Sequence, residues 1–145
     1  MSKKENQISE EIAIQEVLDF VNYYSKKPIK LEEVKEQYLS TVEAVQSGNL
    51  VFEGETKKPK YTLVHILKNE EGGIYMDGIE FKTRIKPTTK ADLAKGLDLQ
   101  KDLANYSLRC ISHIIGTTVK ELDKFEPIDY DVISEVSAVF MAGGR

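Results

Sequence analysis

The sequence holds 145 residues, 41% of them hydrophobic and 30% charged, with a net charge of −4. Those figures suit one compact domain that buries about 68–70% of its chain surface and needs no disulfide or metal staple. They exclude a global electrostatic attraction to nucleic acid or to an acidic membrane.

A single cysteine, Cys110, rules out an intrachain disulfide and is compatible with a reducing compartment. No apolar run reaches the roughly 18 residues of a membrane-spanning helix. The N-terminal MSKKENQISEE is polar and lacks the apolar segment of a secretory signal. Residues 1–8 read as a frayed tail. Ser9 then caps a helix, and Glu10 and Glu11 place negative charge in its first turn. Ile14, Val17, Leu18, Val21 and Tyr24 make its apolar stripe, with Ile12 and Phe20 off the stripe. Pro28 marks a break. A second helix is expected from about Leu31 to Gln46, with Leu31, Val34, Tyr38, Val42 and Val45 inside and Gly48 or Asn49 as its stop. The pair suggests an αα-hairpin or two helices on separate faces of a sheet.

From residue 50 the pattern becomes that of strands. Leu50-Val51-Phe52 is short and ends at Gly54. Tyr61–Leu67 is rich in β-branched and aromatic residues and reads as a central strand. Asp77-Gly78 signals a hairpin between Ile74–Met76 and a strand over 79–85, in which Ile79, Phe81, Thr83 and Ile85 alternate with Glu80, Lys82 and Arg84. The expectation over 50–86 is a small, mainly antiparallel sheet of three or four strands.

Helices fill the rest. Thr89 and Asp92 resemble a capping box, and Gly96 weakens the short helix they open. Asp98 recaps a helix over 99–115, with Leu99, Leu103, Tyr106, Cys110 and Ile114 on one stripe and Ala104, Leu108, Ile111 and Ile115 on the next. Gly116 stops it. Thr118 and Glu121 form a capping box for a short helix carrying Val119, Leu122 and Phe125. Pro127 ends that helix. Asp129 caps a last one with Val132, Ile133, Val136, Val139 and Phe140 inside, ended by Gly143-Gly144. The fold class expected is α+β in a single domain over 1–145: helices over 9–49, the sheet over 50–86 and three or four helices over 87–145.

Residue chemistry alone points to no reaction. His65 and His113 stand apart, without the spacing of a metal site, and no cofactor motif is present. Cys110 lies inside an apolar helical arc, where a cysteine packs rather than reacts. Carboxylates fall at helix starts or on polar helix faces. Lys57, Lys58 and Lys60 form one basic cluster and Lys82, Arg84, Lys86 and Lys90 another, which read as solvated faces that guard a sheet edge.

Residues 61–140, taken in order, resemble the tail assembly chaperones of long-tailed bacteriophages and prophages. The likeness runs through YTLVHIL, DGIEFKTRIKPTT, ADLAKGLDLQKD, SLRCISHIIGTTVKELDKF and DYDVISEVSAVF, with Gly116 to Leu122 followed by Asp129. It covers a little over half the chain, and residues 9–50 depart from the smallest members. The resemblance implies a non-enzymatic, cofactor-free protein in the bacterial cytoplasm. It would bind the helical tape measure protein until the tail tube polymerises around it, and would be absent from the finished particle. Self-association is left open, and neither nucleic acid nor membrane is implied as a partner. The residues assigned to the binding surface are Leu108, Ile111, Ile115 and Val119 at the helix junction and Val136, Phe140 and Met141 on the last helix, with at least half of them expected to be core instead. Alternatives are a structural tail or head-completion protein retained in the particle, and a small nucleic-acid-binding regulator resting on the basic clusters.

Overall fold

A computed structural model describes residues 8–142. Apart from residue 8, the tail over 1–8 and the stop at Gly143-Gly144 lie outside that range. The architecture is α+β, with six α-helices and a three-stranded antiparallel sheet among the described residues. Helices α1 (Glu10–Tyr24), α2 (Leu31–Gln37) and α3 (Leu39–Ser47) come first. Strands β1 (Leu50–Glu53), β2 (Lys58–Lys68) and β3 (Ile74–Glu80) follow in spatial order β1-β2-β3. Helices α4 (Pro87–Ala94), α5 (Leu103–Ile115) and α6 (Pro127–Ala142) close the chain, with a 3-10 turn at Lys120–Lys124 before α6.

The sheet has a dry face and a wet one. Leu50, Tyr61 and Ile79 share one rung and are all buried against the helices. The next rung, Val51, Lys60 and Glu80, faces solvent. That division is what an antiparallel meander allows when helices cover one side only. An aromatic cluster fills the space between helices and sheet. Phe20 stacks on Phe52 with ring centroids 4.5 Å apart and meets Phe140 edge-on at 5.8 Å, and Tyr24 meets Phe140 at 4.9 Å. Phe20, expected to lie off the buried stripe of α1, is therefore at its centre.

Several elements differ from the sequence expectation. Helix α4 starts at Pro87 with Lys86 as its N-cap and no side-chain cap bond, so Thr89 and Asp92 do not form the box that opens it. The helix over 31–46 is broken at Tyr38, and the exposed N-terminus of α3 is satisfied by Glu135 of α6. Its carboxylate accepts from the Thr41 N–H at 2.9 Å, the Thr41 hydroxyl at 2.8 Å and the Ser40 N–H at 3.3 Å. Asp77-Gly78 makes no hairpin, because β3 runs straight through it. The strand expected over 79–85 ends at Glu80, after which the Lys82 N–H donates to the Ile114 carbonyl at the end of α5. Ile79, Phe81 and Ile85 are nonetheless buried. The alternation reported burial correctly, but the backbone partner is a helix end rather than a strand.

Asp129 differs from the expectation as well. It does not cap α6, since Pro127 opens the helix as its first residue, where a missing N–H costs nothing. Asp129 instead lies in the first turn, fully buried, and points into the sheet. It accepts from the Tyr61 hydroxyl at 2.6 Å, the Val64 N–H at 2.8 Å and the His65 N–H at 3.0 Å. The pairing of β2 with β3 is irregular there: five steps along β2, from Thr62 to Leu67, match two along β3, from Gly78 to Met76. The carboxylate thus takes the place of a neighbouring strand for two amides in the bulge. The same bulge turns Leu63 and Val64 inward together.

Candidate partner-binding site

The seven residues assigned to a binding surface divide by burial. Ile111, Ile115, Val136 and Phe140 belong to the core, Leu108 and Met141 are half-buried against it, and Val119 is 40% exposed. Phe140 is a correction with a clear cause: its ring is held among Phe20, Tyr24 and Phe81 and has no free face to offer. Val136 is fully buried on the same helix. Of the original set, Val119 and the half-buried Leu108 and Met141 keep side-chain surface outside the core.

Among the described residues after β3, the two most exposed large aliphatic side chains lie elsewhere, at the elbow between α4 and α5. Gly96 takes a left-handed φ of 79° and reverses the chain after α4. Asp98 caps the next turn, its carboxylate accepting from the Gln100 N–H at 3.0 Å. The Asp98 carbonyl then accepts from the Asp102 N–H, so a helical turn leads straight into α5. Leu99 and Leu103 are one such turn apart and are 46% and 60% exposed. Leu93 and Leu97 beside them are half-buried. Arg109, six residues further along α5, donates to the carbonyls of Leu93 at 3.0 Å and Lys95 at 2.9 Å. That guanidinium satisfies the last carbonyls of α4 and fixes the angle of the elbow.

The sequence spacing places Leu99 and Leu103 on the apolar stripe that continues through α5. The later members, Cys110 and Ile114, are buried as expected, but the first turn of the stripe projects beyond the core. The readable signal was the company those leucines keep: Asp98, Lys101 and Asp102 surround them, which suits a solvent-facing turn.

Comparison of this chain with protein-family models, with curated proteins and with solved structures gives no match.

The titratable groups bear on reactivity. Burial pushes the Cys110 thiol up, away from the thiolate a nucleophile requires, although the Tyr106 hydroxyl and Lys90 pull the other way. His113 is lowered by desolvation and by the nearby Lys82 ammonium, which donates to the His113 carbonyl at 2.8 Å. His65 is exposed on β2. Among the described residues no three His, Cys, Asp or Glu side chains are grouped to hold a metal, and no helix is long and apolar enough to cross a membrane. The two basic clusters do meet in space. Lys58 shares a cleft with Arg84 and the next one with Lys82, though Glu53 stands opposite Lys58 and Glu80 opposite Lys60 in the sheet.

Proposed function

We propose that this chain is a tail assembly chaperone of the long-tailed bacteriophage kind, a non-enzymatic adaptor that holds a helical segment of the tape measure protein during tail morphogenesis. The observation that carries the reading is the exposed pair Leu99 and Leu103 on an elbow braced by Arg109. Exposed aliphatic side chains at helical spacing on a fixed support suit the apolar face of an amphipathic helix. The order of elements over 61–140 supports the same reading through the resemblance. A regulator that binds nucleic acid is weaker, because the carboxylates of Glu53 and Glu80 interrupt the basic surface.

The reading is tested by expressing the tape measure protein with and without this chain. Soluble tape measure that co-purifies with the chain supports it, and tape measure equally soluble alone counts against it. Purified particles separate it from a structural tail protein, which would be present in fixed copy number.

A further inference from the structure

A second candidate site lies on a different surface from the α4–α5 elbow. A cleft of about 300 Å³ opens between α3, β2 and α6. Its apolar lining is Ala44 on α3, Val64 on β2 and Ile128 and Val132 on α6. Its floor is polar but self-satisfied. The Ser47 hydroxyl lies 3.1 Å from the Ala44 carbonyl and 2.9 Å from Asn49 Oδ1, the Asn49 amide donates to the Thr62 carbonyl at 2.8 Å, and the Tyr61 hydroxyl is spent on Asp129. The charged groups that remain are Glu43, from α3, and Asp131, from α6. Both are exposed, both are acceptors only, and among the described residues no Lys, Arg or His lines the cleft with them.

A cleft with an apolar wall and two carboxylates among its lining residues selects for an aliphatic stem carrying a cationic donor. A neutral apolar group would bring the carboxylates no donor in place of the water it displaces, and an anion would be repelled by both. The volume is at the lower end for ligand clefts and suits one side chain rather than a large cofactor. Hydrogen bonds brace the walls: Glu135 ties α6 to the start of α3 and Asp129 ties α6 to β2. We infer that this cleft binds a lysine or arginine side chain presented by a protein partner, with its stem against Val64, Ile128 and Val132 and its head between Glu43 and Asp131. The inference does not depend on the tail-assembly reading, because it rests on a different surface and asks nothing about the partner beyond a protruding basic residue.

The test is an NMR titration of the full chain with acetyl-arginine amide and acetyl-lysine amide, following the backbone amides of Ala44, Ser47, Asn49 and Val132. Acetyl-norleucine amide is the neutral control and 1,5-diaminopentane the small-amine control. The expected result is saturable shifts at those amides with the two cationic amino-acid amides and none with norleucine. Glu43→Gln with Asp131→Asn should weaken binding roughly fivefold. Because both side chains are exposed, the double variant should keep the wild-type spectrum elsewhere, which separates lost binding from lost folding. Three outcomes would overturn the inference: no localised shifts, equal shifts with norleucine, or an unchanged affinity in the double variant. Binding of the diamine as tight as that of the amino-acid amides would overturn the assignment to a partner's side chain and make the cleft a small-amine site.

Discussion

The hydroxyl of Tyr61 donates to the buried carboxylate of Asp129 at 2.6 Å, joining the central strand to the first turn of the last helix across 68 residues of sequence. The same carboxylate takes the N–H groups of Val64 and His65 that the bulge has removed from the ladder. Removing it would strand three donors, those of Tyr61 and Val64 in buried bonds and that of His65 in a partly buried one. Asp129→Ala should therefore destabilise the fold by about 3–5 kcal/mol, within the range for uncoupling a buried charged group from its donors. Tyr61→Phe deletes one of the three bonds and should cost about 1–2 kcal/mol. Urea denaturation of both single variants and the double measures the costs. A double-variant cost below the sum of the two singles is expected, because the groups share one network.

Alkali should weaken the same contact. Burial, and then the Asp129 carboxylate, hold the Tyr61 phenol well above its ordinary value of 10.0. Below that value folded and unfolded chains both keep the proton, and the contact contributes fully. Above it the unfolded chain releases the proton while the folded chain retains it, so stability falls as pH rises past about 10. Tyr24, Tyr38, Tyr106 and Tyr130 are raised too, each chiefly by burial. Tyr61→Phe should thus flatten the fall rather than abolish it. Urea midpoints taken at about pH 9, 10 and 11 check the sign and the difference.

How much of this could be read from the chain follows from the distance to each partner. The capping box at Thr118 and Glu121 was legible and is present: the Glu121 carboxylate accepts from the Thr118 N–H at 3.0 Å, and the Glu121 N–H donates to the Thr118 hydroxyl at 3.3 Å. Both partners lie within one turn. Asp129 looked like another cap because it stands near a helix start, but its donors are 64 to 68 residues away. Tyr38 continues an unbroken apolar stripe, and the carboxylate that makes the break tolerable is at Glu135, 94 residues beyond the Thr41 it caps. Leu99 and Leu103 had the right spacing for a buried face. Only the position of the core decides that the face starts later, near Cys110.

Glu135 offers a check on that long-range cap. Glu135→Ala removes the acceptor for the first amides of α3 and should cost about 1–2 kcal/mol, the usual worth of a good N-cap. Glu135→Gln keeps one acceptor oxygen and should cost less. Amide hydrogen exchange should show the loss locally, with Ser40 and Thr41 exchanging faster in the alanine variant.

Phe140 and Leu103 separate core from surface. Phe140→Ala should lower stability by about 3–5 kcal/mol, since it empties a packed aromatic site. Leu103→Asp, at a position 60% exposed, should change stability by no more than about 0.5 kcal/mol. Thermal melts of the two variants distinguish the positions directly.

The most direct test of the adaptor reading is co-purification of the tape measure protein with the Leu99→Asp, Leu103→Asp double variant, beside a thermal melt of the variant alone. The predicted result is an unchanged melting temperature with the complex reduced at least tenfold, the effect of roughly 1.4 kcal/mol or more from two buried apolar anchors. Full recovery of the complex by a variant that folds normally would contradict the assignment of that elbow as the holding surface.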